Sequence, residues 1–269
     1  MPIWLEYEFM RNAFCAGLLI APLFALLGTV VVSNRMVFFS DVLGHSSLTG
    51  IALGCLLGLA DPFWAVVFFA VILAVLINFF KAHTHASSDT VLGVFFAVVV
   101  AVGIIILSKA GGFAKYSNYL IGDILAVNTG HLWVLAGLLL FVFVYWVFAA
   151  NSLVLMTIDQ SLARTRRIPV FWLETSFSIV LAVVVAVSIK LVGILIINSL
   201  LVLPVAGARL VSRKFSDYTF GAVIISVVSS TAGLIASYYW GTASGATIVL
   251  FSAIFYGVIA LFSIISKRV

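Results

Sequence analysis

The sequence predicts an all-α, polytopic helical membrane protein, and three observations carry that prediction. Hydrophobic residues make up 64% of the 269 residues and charged residues 9%, a balance that no soluble globular domain carries. The apolar residues gather into about nine runs, each near the ~20 residues a helix needs to cross the hydrocarbon. The cations sit at the edges of those runs rather than along one stripe, so the net charge of +5 points to orientation in a lipid bilayer and away from nucleic acid.

In chain order the expected spans are 13–33, 36–60, 62–80, 91–108, 131–150, 170–187, 191–208, 218–237 and 246–266. Glu6 and Glu8 precede the first run where a secretory leader would carry basic residues, so that run is read as a span. The second carries Gly50, Gly54 and Gly58 at four-residue intervals, a small-residue ladder that lets another helix approach closely. Only Ser188-Ile189-Lys190 separates the sixth run from the seventh. A tight turn and a kinked continuous pair fit equally, so eight spans are also compatible. The longest polar connection is 151–169, and the whole chain, 1–269, reads as a single transmembrane domain.

Orientation follows from Lys and Arg. With nine spans and the C-terminus inside, ten of the fourteen cations lie on the cytoplasmic side, among them Arg35, Lys81, Arg164, Arg166, Arg167 and Arg209. Arg11, Lys109, Lys115 and Lys190 lie outside. Cys15 and Cys55 each stand in an apolar run with no C-x-x-C partner, which indicates neither a disulfide framework nor a thiolate metal site.

Asp41 and His45 are the candidate functional pair. Four residues apart on one helix, they share a face. Ionisable groups inside a span are costly and mark ion or substrate paths, and carboxylate plus imidazole is a ligand set for a divalent transition metal. If Arg35 marks the interface, Asp41 lies roughly 9 Å and His45 roughly 15 Å deep, the latter near the midplane of a layer about 30 Å thick. The structural alternative makes Asp41 a helix cap, with Ser40-Asp41 as a start signal, and His45 a satisfied buried histidine.

Other candidates are weaker. Asp123 lies in Tyr119–Val127, an apolar piece too short to span; a re-entrant piece there supplies a third oxygen ligand or an entry gate, and a solvated helix end fits the same residues. His83, His85 and Asp89 resemble a small metal tract, but they fall in a polar loop beside Ser87 and Ser88. His131 flanks a span. No G-x-x-x-x-G-K-[ST] phosphate loop, H-E-x-x-H or nucleophile elbow occurs, so the chain is not its own P-loop ATPase and no enzyme is indicated.

Arg35-Met36 followed by Phe39, Asp41, His45, Ser47-Leu48, Gly50 and Gly54 resembles the permease subunit of the bacterial ABC importers for zinc, manganese and iron. The resemblance continues through Asp89-Thr90-Val91-Leu92-Gly93, Tyr119–Val127 and Leu155-Met156-Thr157-Ile158. It then takes in Val192-Gly193, Ser199-Leu200-Leu201-Val202-Leu203-Pro204, Ala208-Arg209 and Ser244-Gly245-Ala246. Gly122-Asp123-x-Leu125-Ala126-Val127 and the Leu-x-Met-Thr-Ile run are nearest to permeases of high-affinity zinc importers. The resemblance implies a multi-pass permease of the bacterial cytoplasmic membrane with transported Zn2+ as first choice, Mn2+ and Fe2+ remaining open, and no permanently bound cofactor. The implied partners are a second permease copy, a cytoplasmic ABC ATPase and an extracytoplasmic metal-binding protein. Asp159, Leu162, Ala163 and Arg164 occupy the place of the ATPase-coupling helix. Arg166-Arg167 stands where related permeases often have an apolar residue and Gly, and Ala243 stands where a Pro is common.

The expected mechanism is alternating access, with metal passing to Asp41 and His45 and Asp123 nearer the entrance. Two other classes fit less well. A gradient-driven secondary carrier also places an acid at mid-membrane, but transports without an ATPase. An intramembrane enzyme needs several converging ligands or a nucleophile, and one Asp/His pair does not supply them.

Overall fold

The structure, a computed structural model, describes residues 6–59, 61–84, 86–109 and 124–266. Among these residues there are nine helices of eighteen or more residues: α1 (Glu8–Ser33), α2 (Val37–Leu56), α3 (Phe63–His83), α4 (Ser88–Lys109), α5 (Thr129–Ile158), then, after the short α6 (Gln160–Thr165), α7 (Val170–Val192), α8 (Ile194–Val211), α9 (Phe215–Trp240) and α10 (Ser244–Ser266). A 3-10 turn, Ile124–Ala126, precedes α5. Eight of the nine are long and apolar enough to cross a membrane; α2 is the ninth. Its serines, glycines, Asp41 and His45 hold its hydropathy down, and it is nevertheless a 20-residue helix. A lipid-facing backbone must satisfy its own hydrogen bonds, which is why these runs are helices throughout.

Two boundaries differ from expectation for physical reasons. The stretch 151–158 continues α5 instead of opening a loop. Asn151-Ser152 is only a brief polar interruption, and Leu153-Val154-Leu155-Met156 keeps the helix apolar beyond it. The sixth and seventh runs are separate helices that meet at Gly193, not at Ser188–Lys190. Lys190 is still helical, with its ammonium paired with Asp61, while Gly193 adopts φ +83°, a conformation open to glycine.

The chain divides into two compact units. The first takes the described residues within Met1–Arg35, Asp123–Val154 and Leu191–Val269. In it α1 packs on α8 and α9, and α10 packs on the same two helices. Small residues set the spacing. A Cβ added at Gly28 would overlap the Leu201 carbonyl, and one at Gly233 would lie 2.6 Å from Ile248 Cα. Ala25, Val205, Ala208, Tyr218 and Ala222 form a buried cluster. Tyr218 Oη donates to the Thr29 carbonyl (3.4 Å), Ser226 Oγ to Ala21 (3.0 Å), and Arg209 Nη1 to Val32 (3.2 Å), where α1 ends.

The second unit takes the described residues within Met36–Gly122 and Leu155–Lys190. Here α2 packs on α3 and on α4. Its glycines do the expected work at two positions: a Cβ at Gly50 would lie 2.7 Å from Val66 Cα, and one at Gly54 2.6 Å from Pro62 Cβ. Gly58 does something else. It follows the end of α2 with φ +70°, its N–H donates to Cys55 and that of Leu59 to Gly54, so it terminates the helix in a Schellman motif. On α3 the small or medium residues Val66, Ala70, Leu73, Ala74 and Ile77 are buried, whereas Trp64, Phe68, Ile72 and Phe79 are exposed, the pattern of a helix that turns bulk toward lipid.

Candidate functional site

The site is built on the start of α2. Arg35 takes φ +56° two residues after α1 ends, and α2 begins at Val37. Asp41 therefore lies in the second turn and is not the helix cap. One turn on, His45 Nε2 stands 3.7 Å from Asp41 Oδ1, with side chains 44% and 36% accessible. The His45 ring meets the Phe96 ring of α4 edge-on at 5.4 Å, and Phe96 also contacts Phe38 at 5.9 Å. An aromatic contact of this geometry favours one orientation of the imidazole plane.

The neighbouring hydroxyls are already engaged. Ser40, Ser46 and Ser47 each donate to a carbonyl three residues back on α2 at 2.7 Å. Thr49 donates to the Val99 carbonyl of α4 at 2.6 Å. The titratable groups that α2 carries here are one carboxylate and one imidazole. Among the described residues no group of three His, Cys, Asp or Glu side chains gathers to hold a metal. Asp123, the expected third oxygen, lies outside the described residues, as does His85.

The remaining candidates have local structural roles. His83 ends α3 with Nδ1 2.8 Å from the Phe79 carbonyl and its ring stacked on Phe79. Asp89 lies in the first turn of α4, whose start is capped by Ser87 Oγ accepting from Thr90 N–H. His131 and Asn128 cap α5 reciprocally: Asn128 Oδ1 accepts from the His131 N–H and His131 Nδ1 from the Asn128 N–H. Cys15 is exposed and unpaired with Cys55. In the first unit an apolar groove of about 410 Å³, lined by Trp146, Phe215 and Phe220 among others, has no acidic or histidine lining.

The expected coupling segment is a formed helix. Asp159 caps α6, its Oδ1 accepting from Ser161 N–H (2.7 Å) and Leu162 N–H (3.3 Å). Leu162 and Arg164 face outward, and Ala163 is buried. The helix ends in a Schellman motif, with Arg167 N–H on Arg164 O and Ile168 N–H on Ala163 O. Arg167 holds φ +58°, the position at which a glycine carries no steric cost.

Four charged residues that sequence reasoning treated only as orientation signals, or did not weigh, form two bridges in the second unit. Lys81 Nζ of α3 is 2.6 Å from Glu174 Oε1 of α7. Lys190 Nζ of α7 is 2.8 Å from Asp61 Oδ2, and Asp61 Oδ1 also accepts from Phe63 N–H at the start of α3. The hydrogen bond from Lys190 holds the Asp61 carboxyl below the usual range against a smaller opposing effect of burial; the Phe63 N–H and the ammonium charge add to the lowering. Part of the signal was in the sequence: Glu174 is a charge within an otherwise apolar run, and Lys190 breaks two such runs apart.

Comparison with known proteins bears on the whole chain. It is 33% identical over 95% of its length to the high-affinity zinc uptake system membrane protein ZnuB of Haemophilus influenzae, covering 98% of that protein. It is 27% identical to the manganese transport system membrane protein MntC of Halalkalibacterium halodurans, over 96% of this chain and 89% of that one. The solved structure of PsaBC from Streptococcus pneumoniae in complex with a Fab superposes with a TM-score of 0.82 at 25% identity, covering 95% of this chain and 92% of that one. The pattern of the ABC 3 transport family matches residues 6–263, and this multi-pass membrane protein therefore belongs to the ABC 3 transport family.

Proposed function

We propose that this metal-transport permease is the membrane subunit of an ATP-driven importer whose cargo is Zn2+, and that Asp41 and His45 form the way-station for the ion. The observation that carries the reading is the pair itself. A carboxylate and an imidazole sit one turn apart, more than a third accessible, on the one long helix among the described residues that falls short of membrane-spanning hydropathy. Polar residues kept in such a helix are expensive unless they handle an ion. The carboxylate offsets part of the ion's charge and a neutral imidazole supplies a borderline-soft nitrogen. Asp123 is assigned to the entrance side as a further oxygen ligand.

The chain has no phosphate loop, so hydrolysis belongs to a separate cytoplasmic ATPase. In this reading the α6 segment, with Asp159 as cap, Leu162 and Arg164 outward and Ala163 inward, docks on that ATPase. A binding protein delivers metal from outside and the permease works as a homodimer. The ZnuB relative favours zinc; the manganese relative keeps manganese, and with it iron, as the second reading within the same family.

The test is uptake into proteoliposomes that contain the chain with its ATPase and binding protein, comparing Zn2+, Mn2+ and Fe2+ with and without ATP. ATP-dependent Zn2+ uptake, lost in His45→Ala while the complex still assembles, is the expected result. Uptake that proceeds without ATP favours a gradient-driven carrier, and full uptake by His45→Ala at low external metal removes the Asp41/His45 way-station.

A further inference from the structure

Helices α3 and α7 are fastened to each other at both ends. At one end Lys81, in the last turn of α3, meets Glu174, in the second turn of α7, at 2.6 Å. At the other, Lys190, in the last turn of α7, meets Asp61, which caps α3 through the Phe63 N–H. The Lys190 ammonium also stands over the Phe63 ring, 5.5 Å from its centroid. Beside this second fastening, Ala186 and Ile189 of α7 line one small space with Pro62 and Val66 of α3 and Ile51 of α2. The two fastenings are separated by roughly 24 Å of α7 at 1.5 Å per residue, most of a hydrocarbon layer. The helices are antiparallel and joined near both ends, most firmly at Lys81–Glu174, whose side chains are the less exposed of the two pairs.

The seam is not built for stability. One turn inward from Lys81, both amide atoms of Asn78 are buried without a hydrogen-bond partner. Thr175 Oγ1, next to Glu174, and Ser178 Oγ, one turn further along α7, are in the same condition. Each such group costs free energy that an apolar residue would not, and charges within spans are costly again. Polar groups held at this expense on one seam point to a task.

Neighbouring contacts say what the task is. Glu174 follows the α6 segment and Pro169 by a few residues, near the start of α7. At its far end α3 touches α2 with almost no slack, Val66 against Gly50 and Pro62 against Gly54, and α2 carries Asp41 and His45. The link from α6 into α7, the Lys81–Glu174 contact of α7 with α3, and the contacts of α3 with α2 at Gly50 and Gly54 all lie within one compact unit. We propose that α3 and α7 form a rigid transmission strut, with Lys81 and Glu174 as positioning residues that couple movement of the α6 segment to the orientation of Asp41 and His45. This rests on the importer reading given above.

The experiment uses the full permease with its ATPase and binding protein in proteoliposomes, with Zn2+ as the probe. ATP hydrolysis and Zn2+ uptake are both measured for wild type, Lys81→Glu, Glu174→Lys and the double reversal. Each single reversal should hydrolyse ATP within about twofold of wild type while uptake per ATP falls about tenfold, and the double reversal should restore most of the ratio. A purely structural role would lower both activities together. Glu174→Gln, which keeps volume and hydrogen-bonding capacity, should give an intermediate ratio and serves if the reversals fail to assemble. Wild-type ratios in the single reversals or in Glu174→Gln, or a parallel fall in hydrolysis and uptake, overturn the strut while leaving the importer reading intact. A wild-type complex without ATP-driven uptake overturns the importer reading and the strut with it.

Discussion

The two helix groups are held together by different chemistry. In the group built on α1, α8, α9 and α10 the polar contacts between helices end on backbone carbonyls: Tyr218 on Thr29, Ser226 on Ala21, Arg209 on Val32 and Ser263 on Leu210. In the group built on α2, α3, α4 and α7 lie the two lysine–carboxylate ion pairs found among the described residues, Lys81–Glu174 and Lys190–Asp61, together with the His45–Asp41 contact. A hydroxyl on a carbonyl adds no net charge to the membrane and does not respond to an ion. Carboxylates, amines and an imidazole do both. The difference teaches that shape is kept by one group with largely neutral contacts, while the other accepts charged contacts where the proposed cargo passes.

The largest expected effect tests the neutral group. Gly28→Leu places a side chain against the Leu201 backbone carbonyl, which has no rotamer to yield, and should cost about 3 kcal/mol, read as a lower unfolding temperature of the purified chain in detergent. A wild-type unfolding temperature would mean that the two helices have room to separate there. Next, the charged group can be made neutral. Glu174→Leu alone leaves Lys81 unpaired and should cost about 2 kcal/mol, whereas Glu174→Leu with Lys81→Met should recover that loss or exceed wild type. Thermal unfolding of wild type, both single variants and the double variant measures this, and a double variant no better than Glu174→Leu would mean that the pair itself carries net stability.

Smaller effects refine the edges of the comparison. Arg167→Gly relieves a left-handed residue and should firm the end of α6 by about 1 kcal/mol, seen as slower hydrogen exchange at residues 167 and 168. The smallest is the Asp61–Lys190 pair, which is well exposed and worth less than about 1 kcal/mol. Asp61 has a lowered folded pKa, so its contribution is complete above the ordinary carboxylate pKa and fades as pH falls below about 4 through the lowered value. Lys190→Ala should flatten the acid limb of the unfolding-temperature profile; an unchanged limb would assign it to other carboxylates.

Eight of the nine long helices among the described residues were legible because hydropathy marks a run long enough to cross lipid, and α2, whose polar residues lower its hydropathy, was legible from the length of its run. The Asp41/His45 pair was legible for a local reason: four residues on a helix fix its geometry whatever the surroundings. Lys81–Glu174 and Lys190–Asp61 join residues 93 and 129 positions apart, and nothing along an apolar run states which helix will be its neighbour. Gly50, Gly54 and Gly58 share one spacing, yet the first two face α3 and the third ends the helix, because the repeat does not say where the helix stops. The Arg167 departure from the related permeases could be seen in sequence, but its meaning required the backbone, where it proves to be a left-handed cap.

The engaged hydroxyls of α2 have a consequence for selectivity. Mg2+ and Ca2+ outnumber transition metals in most environments and demand six or more oxygen ligands in exchange for their water. Ser40, Ser46, Ser47 and Thr49 donate their protons to carbonyls, which holds each of these α2 hydroxyls in one direction. At the proposed way-station a hard cation would meet one carboxylate and one imidazole nitrogen from α2, whereas a borderline-soft ion such as Zn2+ takes the nitrogen readily. In the proposed reading, discrimination rests on the imidazole nitrogen that the helix offers rather than on its hydroxyls.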